Sequence, residues 1–332
     1  MRQSYLEQMR PKATHQKVLA LRKQCGLDFF KKYSSQFVSS FCPACDNDGP
    51  VVLEKFGFEH KKCGKCNTTW CSQRPTEELL TEYYSNWEAT KYWTQLLVET
   101  DVNRKMLQYN PRVLSLVNLL KKDSAFSPKK AVDLGAGSGA FALSLKEATF
   151  FDEVIAVDLN LECHEVCKKN GLSSIQGSIE DLEQNSVDFL TMNDMIEHLF
   201  DPKKFLKQCH AALTTGGYLS IACPNGEGFD FKIMKDQTVN LTPPEHLNYF
   251  NPFSIELLLE SVGFESVSIT TPGMLDTQIV TREVLENQLD LSHDQYLEHL
   301  LLNTDEATVA NFQEFLKQNC LSSHMLVFAK KI

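Results

Sequence analysis

Residues 132–139 read Val-Asp-Leu-Gly-Ala-Gly-Ser-Gly, and this stretch decides the fold class. The apolar residues around Asp133 predict a buried strand, and the alternating glycines predict a tight turn that opens a helix. Glycine lets the backbone approach a ligand closely, while a helix N-terminus presents free N–H donors and partial positive charge. The loop alone also admits a nicotinamide dinucleotide, because residues 135–140 fit the looser dinucleotide fingerprint.

Strand and helix signals alternate from this stretch onward. The strands are predicted at 131–134, 154–157, 174–176, 187–192, 218–222, 266–270 and 325–329. The helix after the fourth strand has Asp201 and Pro202 as its start signals and Gly216-Gly217 as its predicted end. This alternation predicts an α/β fold with a seven-stranded, mostly parallel, doubly wound sheet.

Three segments beyond the glycine loop add to the predicted cofactor site. The second strand ends at Asp158, whose carboxylate is placed to bind both ribose hydroxyls. After the third strand, Ile179 would bound an adenine and Ser178 would lie near its polar edge. The fourth strand runs into residues 194–202, which read Asp-Met-Ile-Glu-His-Leu-Phe-Asp-Pro.

These four motifs, in this order, resemble the class I S-adenosylmethionine-dependent methyltransferases, specifically the broad family with an Asp/Glu-x-x-Glu-His-Leu-x-Asp-Pro motif. The resemblance covers residues 131–270. Asp133, two positions before the first glycine, favours a methyltransferase over a dehydrogenase. The resemblance implies an S-adenosylmethionine site. Its predicted cofactor-binding residues are Asp133, Gly135, Ala136, Gly137, Asp158, Leu159, Ser178, Ile179, Asn193 and Tyr92.

A proton acceptor is expected after the fifth strand, whose carboxyl end faces the ligand crevice of such a sheet. Residues 243–250 read Pro-Pro-Glu-His-Leu-Asn-Tyr-Phe, and similar methyltransferases often have a His or Glu here. A hydroxyl or carbon acceptor needs a base, so the predicted catalytic residues are His246, Glu245 and His198. The alternative is structural: Glu245 and His246 would hold the loop to the sheet, and His198 would bond to backbone.

Asp194, Glu197 and His198, together with His246, are similar to the divalent-metal site of ubiquinone-pathway O-methyltransferases and small-RNA 2′-O-methyltransferases. That resemblance implies Mg²⁺ at these side chains, although Asp194 stands where those enzymes typically have Glu. The alternative is that Glu197 only stabilises the loop.

Aromatic side chains precede the predicted sheet. Tyr84, Tyr92 and Trp93 lie where similar methyltransferases fold a lid over the sulfonium, whose charge would attract an aromatic face. Packing in the core is the alternative for each of them.

Two Cys-x-x-Cys pairs, Cys42/Cys45 and Cys63/Cys66, are separated by 17 residues. This spacing predicts a closed Cys₄ site that holds a structural Zn²⁺ and leaves no position for catalysis. His60 and Cys71 are not expected to be ligands. The other cysteines of the eleven are expected to be small hydrophobic residues, because no export signal accompanies them.

The composition is that of an ordinary globular protein, and together with the net charge it limits the cellular locations and the binding partners that can be expected. The start has no signal peptide and the sequence has no apolar run of about 18 residues, so a cytoplasmic location without a membrane span is predicted. The net charge of −10 makes a nucleic-acid partner unfavourable. Residues 1–35 nevertheless carry eight Lys or Arg and two acids. We interpret these residues either as a basic helical arm that lies on the acidic remainder of the protein or as a binding surface for a phosphate-bearing partner.

Four segments are predicted: a basic helical arm (1–40), a zinc ribbon (41–75), a helical lid or linker (76–125) and the methyltransferase domain (126–332) with a helical insertion at 271–321. A ribbon before a methyltransferase resembles two families, the sugar C-methyltransferases of antibiotic and surface-glycan pathways and the guanine methyltransferases of 23S ribosomal RNA. The former carry a large C-terminal domain, and this chain instead ends at its seventh strand. We therefore expect O-methylation of a small-molecule or saccharide acceptor, such as a nucleotide-sugar or surface glycan.

Two other functions stay open at this point. One is rRNA base methylation with the zinc ribbon holding RNA, which the ribbon's balance of four acids and four lysines disfavours. The other is an adaptor that binds the cofactor and methylates nothing. The ribbon and the insertion would shape the acceptor side or form a homodimer contact.

Overall fold

The computed structural model describes residues 7, 11–286 and 289–332. In the N-terminal part, helix α1 (Lys12–Tyr33) precedes the cysteine-rich segment. That segment contains β1 (Val38–Ser39), β2 (Val51–Lys55), β3 (Phe58–Lys62), β4 (Thr69–Cys71) and β5 (Gln73–Arg74). Three helices follow, α2 (Glu77–Asn86), α3 (Glu88–Arg104) and α4 (Asn110–Leu120), with a π-helical turn at Lys105–Tyr109 between the last two.

From residue 130 onward, strands and helices alternate. In chain order they are β6 (Lys130–Leu134), α5 (Ala140–Glu147), β7 (Glu153–Asp158), α6 (Leu161–Lys169), β8 (Ser173–Gln176), β9 (Val187–Asn193), α7 (Pro202–Ala212), β10 (Leu213–Pro224), α8 (Phe229–Met234), β11 (Asn248–Tyr249), α9 (Pro252–Glu260), β12 (Phe264–Thr270), α10 (Asp276–Leu285), α11 (Gln295–Leu302), α12 (Glu306–Gln318) and β13 (His324–Lys331). The three helices α10–α12 occupy the predicted insertion.

Seven of these strands form the central sheet, in the order β12-β13-β10-β9-β6-β7-β8. Strands β6 to β10 run parallel to one another, and β13 is antiparallel to both β10 and β12. The predicted fold class is confirmed, and each of the seven predicted strands is present. The strand order reverses between β6 and β9, so the ligand crevice is expected at their carboxyl ends.

Strand β6 is buried on both faces, which explains why the strand before the glycine loop is so apolar. Val132 and Leu134 pack into one core with Leu190 and Ile221, on the face covered by α7 and α9. Ala131 belongs to the core on the other face. Burial on both faces is typical of parallel strands covered by helices.

The cysteine-rich segment packs directly against this sheet. Strand β11, from the loop after β10, pairs with β4 and extends the antiparallel sheet β2-β3-β4. Cys66 and Trp70 belong to the same buried core as Leu259 of α9. All eleven cysteines carry free thiols. The segment is therefore joined to the loop after β10 by backbone pairing with β11, and it packs on the central sheet through a shared core.

The predicted end of the helix after β9 is wrong. Helix α7 ends at Ala212, and β10 begins at Leu213, which pairs with Val187. The register shifts between Leu213 and Tyr218, so Gly216, with φ of 78°, lies in an irregular start of the strand. Glycine there serves a bulge and not a helix end. Within the described residues, no helix combines the length and apolar character needed to cross a membrane.

Candidate active site

A cavity of about 1340 Å³ opens at the carboxyl edge of the parallel strands. Its walls come from the glycine loop, the end of β9, the loop before β11, helices α1 to α4 and the start of the insertion. Pockets for one small ligand usually measure about 300–1,000 Å³. This cavity is therefore large enough for a cofactor and an acceptor side by side.

The glycine loop adopts backbone conformations that favour glycine. Gly135, Gly137 and Gly139 have φ of 66°, 55° and 83°. A Cβ atom on Gly137 would meet no atom within 4 Å, and this residue lines the cavity. The N–H groups of Gly135 and Ala136 donate to the Val157 carbonyl at 2.9 and 3.1 Å, which fixes the loop beside β7.

Two carboxyl groups lie behind and beside the loop, Asp133 buried and Asp158 half-buried. Asp133 is 2% exposed, and burial raises its pKa to about 8. Asn193 Nδ2 lies 3.5 Å from Asp133 Oδ1. Asp158 lines the cavity, its Oδ2 accepts from the Gly137 N–H at 2.8 Å, and burial raises its pKa as well. Both acids favour a positively charged ligand, since such a ligand stabilises the ionised form.

The structure brings most predicted cofactor residues to the cavity. Gly135, Gly137, Asp158, Leu159, Ser178 and Ile179 line it, whereas Asp133, Ala136 and Asn193 lie behind the lining. Ser178 Oγ accepts from the Glu180 N–H at 3.2 Å, so this side chain also holds the turn after β8.

Tyr92 is a further predicted cofactor residue that does not line the cavity. Its ring lies under the Lys17 ammonium of α1, with Nζ 4.3 Å from the ring centroid. The neighbouring Trp93 lines the cavity instead, and so does Tyr84. The helical phase of α3 causes the difference, because adjacent helix positions point in different directions.

Three arginines in the cavity wall, Arg22, Arg104 and Arg112, were not predicted from the sequence. Arg104 and Arg112 are 9% and 8% exposed and both line the cavity. Arg112 Nη1 donates to Asn193 Oδ1, and Arg104 Nε donates to Thr100 Oγ1 at 3.0 Å. The sequence did contain a sign of Arg112, which stands among the apolar residues of an amphipathic helix. A cation buried there needs a polar or charged partner, and this indicates a site.

His246 has a fixed orientation in the loop before β11. Its Nδ1 lies 2.7 Å from the Asn240 carbonyl oxygen. A carbonyl only accepts, so Nδ1 carries the hydrogen and Nε2 of the neutral ring carries the lone pair. Burial, followed by the nearby His198, holds the pKa of His246 well below its usual value. The ring therefore stays a neutral imidazole at neutral pH.

His198 lies beside His246 with the two rings nearly perpendicular and their centroids 4.6 Å apart. His198 Nδ1 lies 2.9 Å from the Glu245 carbonyl oxygen and 2.7 Å from the Tyr84 hydroxyl. Burial lowers the pKa of His198 as well. The Glu245 carboxylate is engaged elsewhere, with Oε2 2.7 Å from Nη2 of Arg22. Its side chain is therefore held in an ion pair.

Glu197 completes a cluster with the two histidines. One donor atom from each of Glu197, His198 and His246 lies within 4.8 Å of the other two. Glu197 is 1% exposed, and its two carboxylate oxygens have no hydrogen-bond partner in the described part of the chain. Burial raises its pKa well above the usual value. Asp194, the fourth residue of the resemblance, instead pairs with His324 at 2.9 Å.

The four predicted zinc ligands lie together. Sγ of Cys45 is 3.7, 3.5 and 3.5 Å from the Sγ atoms of Cys42, Cys63 and Cys66. Zn–S bonds of about 2.3 Å in a tetrahedron place the sulfurs about 3.8 Å apart. The Lys65 N–H donates to Cys63 Sγ at 3.4 Å, as expected around a thiolate. These four residues could hold a zinc ion, and His60 and Cys71 lie outside the cluster.

Each of the two knuckles has one residue in the left-handed conformation. The left-handed residues are Asp46 and Asn67, each directly after the second cysteine of its pair, and not the residues inside the pairs. Asp46 N–H donates to the Cys42 carbonyl at 2.9 Å, and Asn67 N–H donates to the Cys63 carbonyl at 3.0 Å. Asp and Asn tolerate this conformation better than other non-glycine residues do.

Comparisons with known proteins identify the family. The sequence profile of a methyltransferase domain matches residues 104–269. The chain is 28% identical over 178 residues to the ubiquinone biosynthesis O-methyltransferase of Vibrio atlanticus, spanning 49% of this chain and 73% of that protein. It is 24% identical over 143 residues to an uncharacterized protein of Methanocaldococcus jannaschii, spanning 42% of this chain and 67% of that protein.

A solved structure of a SAM-dependent methyltransferase from Thermotoga maritima covers 72% of this chain and 98% of its own length, at 19% identity and a TM-score of 0.44. The methyltransferase-domain profile itself matches half of the 332 residues. The protein therefore belongs to the methyltransferase-domain family and is an S-adenosylmethionine-dependent methyltransferase.

Proposed function

We propose that this enzyme methylates an oxygen atom of a small hydroxylated acceptor, with Nε2 of His246 as the base. The observation that carries the proposal is the bond from His246 Nδ1 to the Asn240 carbonyl, which leaves the Nε2 lone pair for the acceptor. His246 also lines the cavity. A neutral imidazole suits a hydroxyl acceptor, which must lose a proton as it reacts.

The cofactor would lie along the carboxyl ends of β6, β7 and β9. Asp158 would accept hydrogen bonds from ribose hydroxyls, and Ile179 would pack on the adenine. Arg104 and Arg112 would face the carboxylate of the methionine moiety, since guanidinium groups pair well with carboxylates. When bound, S-adenosylmethionine supplies an electrophilic methyl group. The enzyme's own contribution is alignment and proton removal.

His246 would take the hydroxyl proton onto Nε2 while the new O–C bond forms and the C–S bond breaks. The fixed Nδ1 contact keeps the ring in the tautomer that this transfer needs. His198 would hold the loop through the Glu245 carbonyl. Glu245 itself would serve the loop through its ion pair and not as a base.

For the acceptor we propose a small molecule of the saccharide or nucleotide-sugar class. The cavity has room for a second ligand beside the cofactor. The Vibrio relative is named for O-methylation in ubiquinone biosynthesis, which also supports an oxygen acceptor. The cysteine-rich segment is paired through β4 to the loop that carries His246, which supports a role in shaping the acceptor side.

We further propose that Cys42, Cys45, Cys63 and Cys66 bind a structural zinc ion. Four thiolates at these separations leave no open coordination position. The ion would hold the knuckles against the main core, where Asn251 Nδ2 donates to the Cys66 carbonyl at 2.9 Å.

A second role for the Glu197, His198 and His246 cluster is a divalent-cation site. The two unbonded oxygens of buried Glu197 favour it. Two imidazole nitrogens and one carboxylate suit a first-row transition ion better than Mg²⁺, which prefers oxygen ligands. A chelator distinguishes the two roles. If activity survives removal of every ion except the one bound by the cysteines, His246 acts as the base. If only an added divalent ion restores activity, the cluster acts as a cation site.

The test of the proposed function is incubation of the purified enzyme with labelled methyl donor and separate pools of nucleotide-sugars, glycans, phenolic compounds and rRNA. We expect label in a hydroxylated small molecule, and loss of that label with His246→Ala. Label in rRNA alone would overturn the proposal, and label in no pool would favour the cofactor-binding adaptor.

A further inference from the structure

Arg22 is a cation of the N-terminal helix that lies inside the cavity wall. Its side chain is 12% exposed, and it lines the cavity. The guanidinium covers the ring of Trp93, with Cζ 4.7 Å from the ring centroid. Lys23, the next residue along α1, is exposed. A guanidinium stacked on an aromatic ring is more fixed than an ordinary surface cation.

Arg22 is also joined to the loop that carries His246. Its Nη2 lies 2.7 Å from Oε2 of Glu245, whose side chain is 4% exposed. The Tyr83 hydroxyl donates to the other carboxylate oxygen at 3.4 Å. A buried ion pair of this kind adds little net stability, but removing one partner leaves the other charge uncompensated. The conformation of residue 245 therefore depends on Arg22.

The backbone of Glu245 is held from a second direction. Its carbonyl oxygen accepts from the Tyr84 hydroxyl at 3.1 Å and lies 2.9 Å from His198 Nδ1. His246 is the next residue, and its own Nδ1 contact closes the loop on Asn240 at 2.7 Å. Helices α1 and α2 and the turn at Ile196–His198 thus converge on residues 240–247.

From this geometry we infer that helix α1 is a fixed wall of the acceptor site and that Arg22 is a positioning residue for the His246 loop. Helix α1, which lies in the described part of the basic arm, then acts on its own enzyme, which supports the interpretation of the arm as lying on the acidic remainder of the protein. Lys12 fits the same picture, because it pairs with Glu286 at the end of α10 at 2.9 Å. The role of His246 as a base and the assignment of this wall to the acceptor side rest on the proposed function. The positioning itself does not.

Amide hydrogen exchange on the full-length protein tests the positioning without an acceptor. We expect Arg22→Met to speed exchange over residues 240–247 by about tenfold or more, with strands β6 and β7 unchanged. Lys23→Met, which removes a charge from the same helical turn, is the matched control and should change neither region. Unchanged exchange over 240–247 in a folded Arg22→Met protein would overturn the inference.

Rescue separates positioning from general destabilisation. Protection over 240–247 should be partly restored by Arg22→Lys and by the charge-swapped pair Arg22→Glu with Glu245→Arg, but not by either swapped single variant. If Arg22→Met lowers amide protection throughout the central sheet, the double variant Arg22→Glu with Glu245→Arg distinguishes positioning from general destabilisation. Its recovered protection would support the inference, and continued loss would overturn it.

If the loop responds to Arg22 while no hydroxylated acceptor is ever methylated, the proposed function fails and the positioning stands. If methylation depends on His246 while the loop ignores Arg22, the positioning fails alone.

Discussion

The backbone N–H of Gly137 donates to Oδ2 of Asp158 at 2.8 Å, which ties the loop after β6 to the end of β7. The same carboxylate accepts from the Asn160 N–H through Oδ1 at 2.8 Å. Asp158 is thus fixed at the cavity edge before any ligand binds. Preorganisation of this kind reduces the ordering cost of binding.

Replacing Gly137 by alanine should weaken cofactor binding more than it weakens the fold. Its φ of 55° makes alanine unfavourable by about 1–2 kcal/mol, and the new Cβ would project into the cavity. Gly216→Ala is the matched control, because Gly216 has φ of 78° and lies in the irregular start of β10. Thermal unfolding should show similar losses for both variants, and calorimetry should show weaker S-adenosylmethionine binding for Gly137→Ala only. Equal cofactor affinity in the two variants would contradict this use of the loop.

Cofactor binding should release a proton from Asp133. Burial raises the pKa of this carboxyl to about 8, so it is largely protonated at pH 7 in the free enzyme, whereas an unfolded Asp ionises near pH 4. Because the folded state holds the extra proton, the stability of the free enzyme should fall as pH rises between these values. The positively charged cofactor favours the carboxylate, so its affinity should rise from pH 6 to pH 8.

The measurement is calorimetry at pH 7 in two buffers that differ in ionisation enthalpy, which gives the number of protons released. We expect a value near one for the native enzyme and a smaller one for Asp133→Asn. The same small value in both proteins would show that another group releases the proton.

His246→Ala should lower kcat by about 10²–10⁴-fold and leave the Kd for S-adenosylmethionine nearly unchanged, because a general base acts on the acceptor and not on the cofactor. His299→Ala is the control, since His299 is exposed on α11. A native kcat in His246→Ala would leave only the structural role for this residue.

Cys66→Ser should remove a zinc ligand and lower Tm by more than about 5 °C, because metal binding energy contributes to folding. Metal analysis should show loss of zinc, and amide exchange should speed up in β4 and β11, which pair with each other. Cys320→Ser is the control at an exposed thiol. Full zinc content in the Cys66 variant would show that the four sulfurs do not form the site.

Much of the fold follows from local sequence signals, and the β10 boundary shows where they fail. Most strands of the central sheet have an apolar run or an apolar–polar alternation between turn signals, which a single sequence displays. Two glycines such as Gly216-Gly217 are typical of a helix C-terminus. Here the helix ends earlier, because Leu213 pairs with Val187 of the neighbouring strand and begins β10. The division into arm, ribbon, lid and catalytic segments stays a prediction, as does a cytoplasmic location.

The candidate site divides in the same way. Gly137 and Asp158 could be found because motifs place them at strand ends. Arg22 and His324 could not be found in this way. Arg22 pairs with Glu245 and His324 pairs with Asp194, and each pair is more than 100 residues apart in the chain. Tyr92 and Trp93 were indistinguishable without the phase of α3. Long-range pairing and helix phase are properties of the folded chain.

Methyl transfer to oxygen with His246 as the base predicts both the kind of methyl group that forms and its dependence on His246. The most direct measurement uses S-adenosylmethionine carrying a ¹³C methyl group and the acceptor found in the pools, with the product examined by ¹³C NMR. We predict a methyl resonance in the range of methyl ethers or esters, absent when His246→Ala replaces the native enzyme. A resonance typical of N-methyl or C-methyl groups would rule out an oxygen acceptor, and full product formation by His246→Ala would rule out His246 as the base.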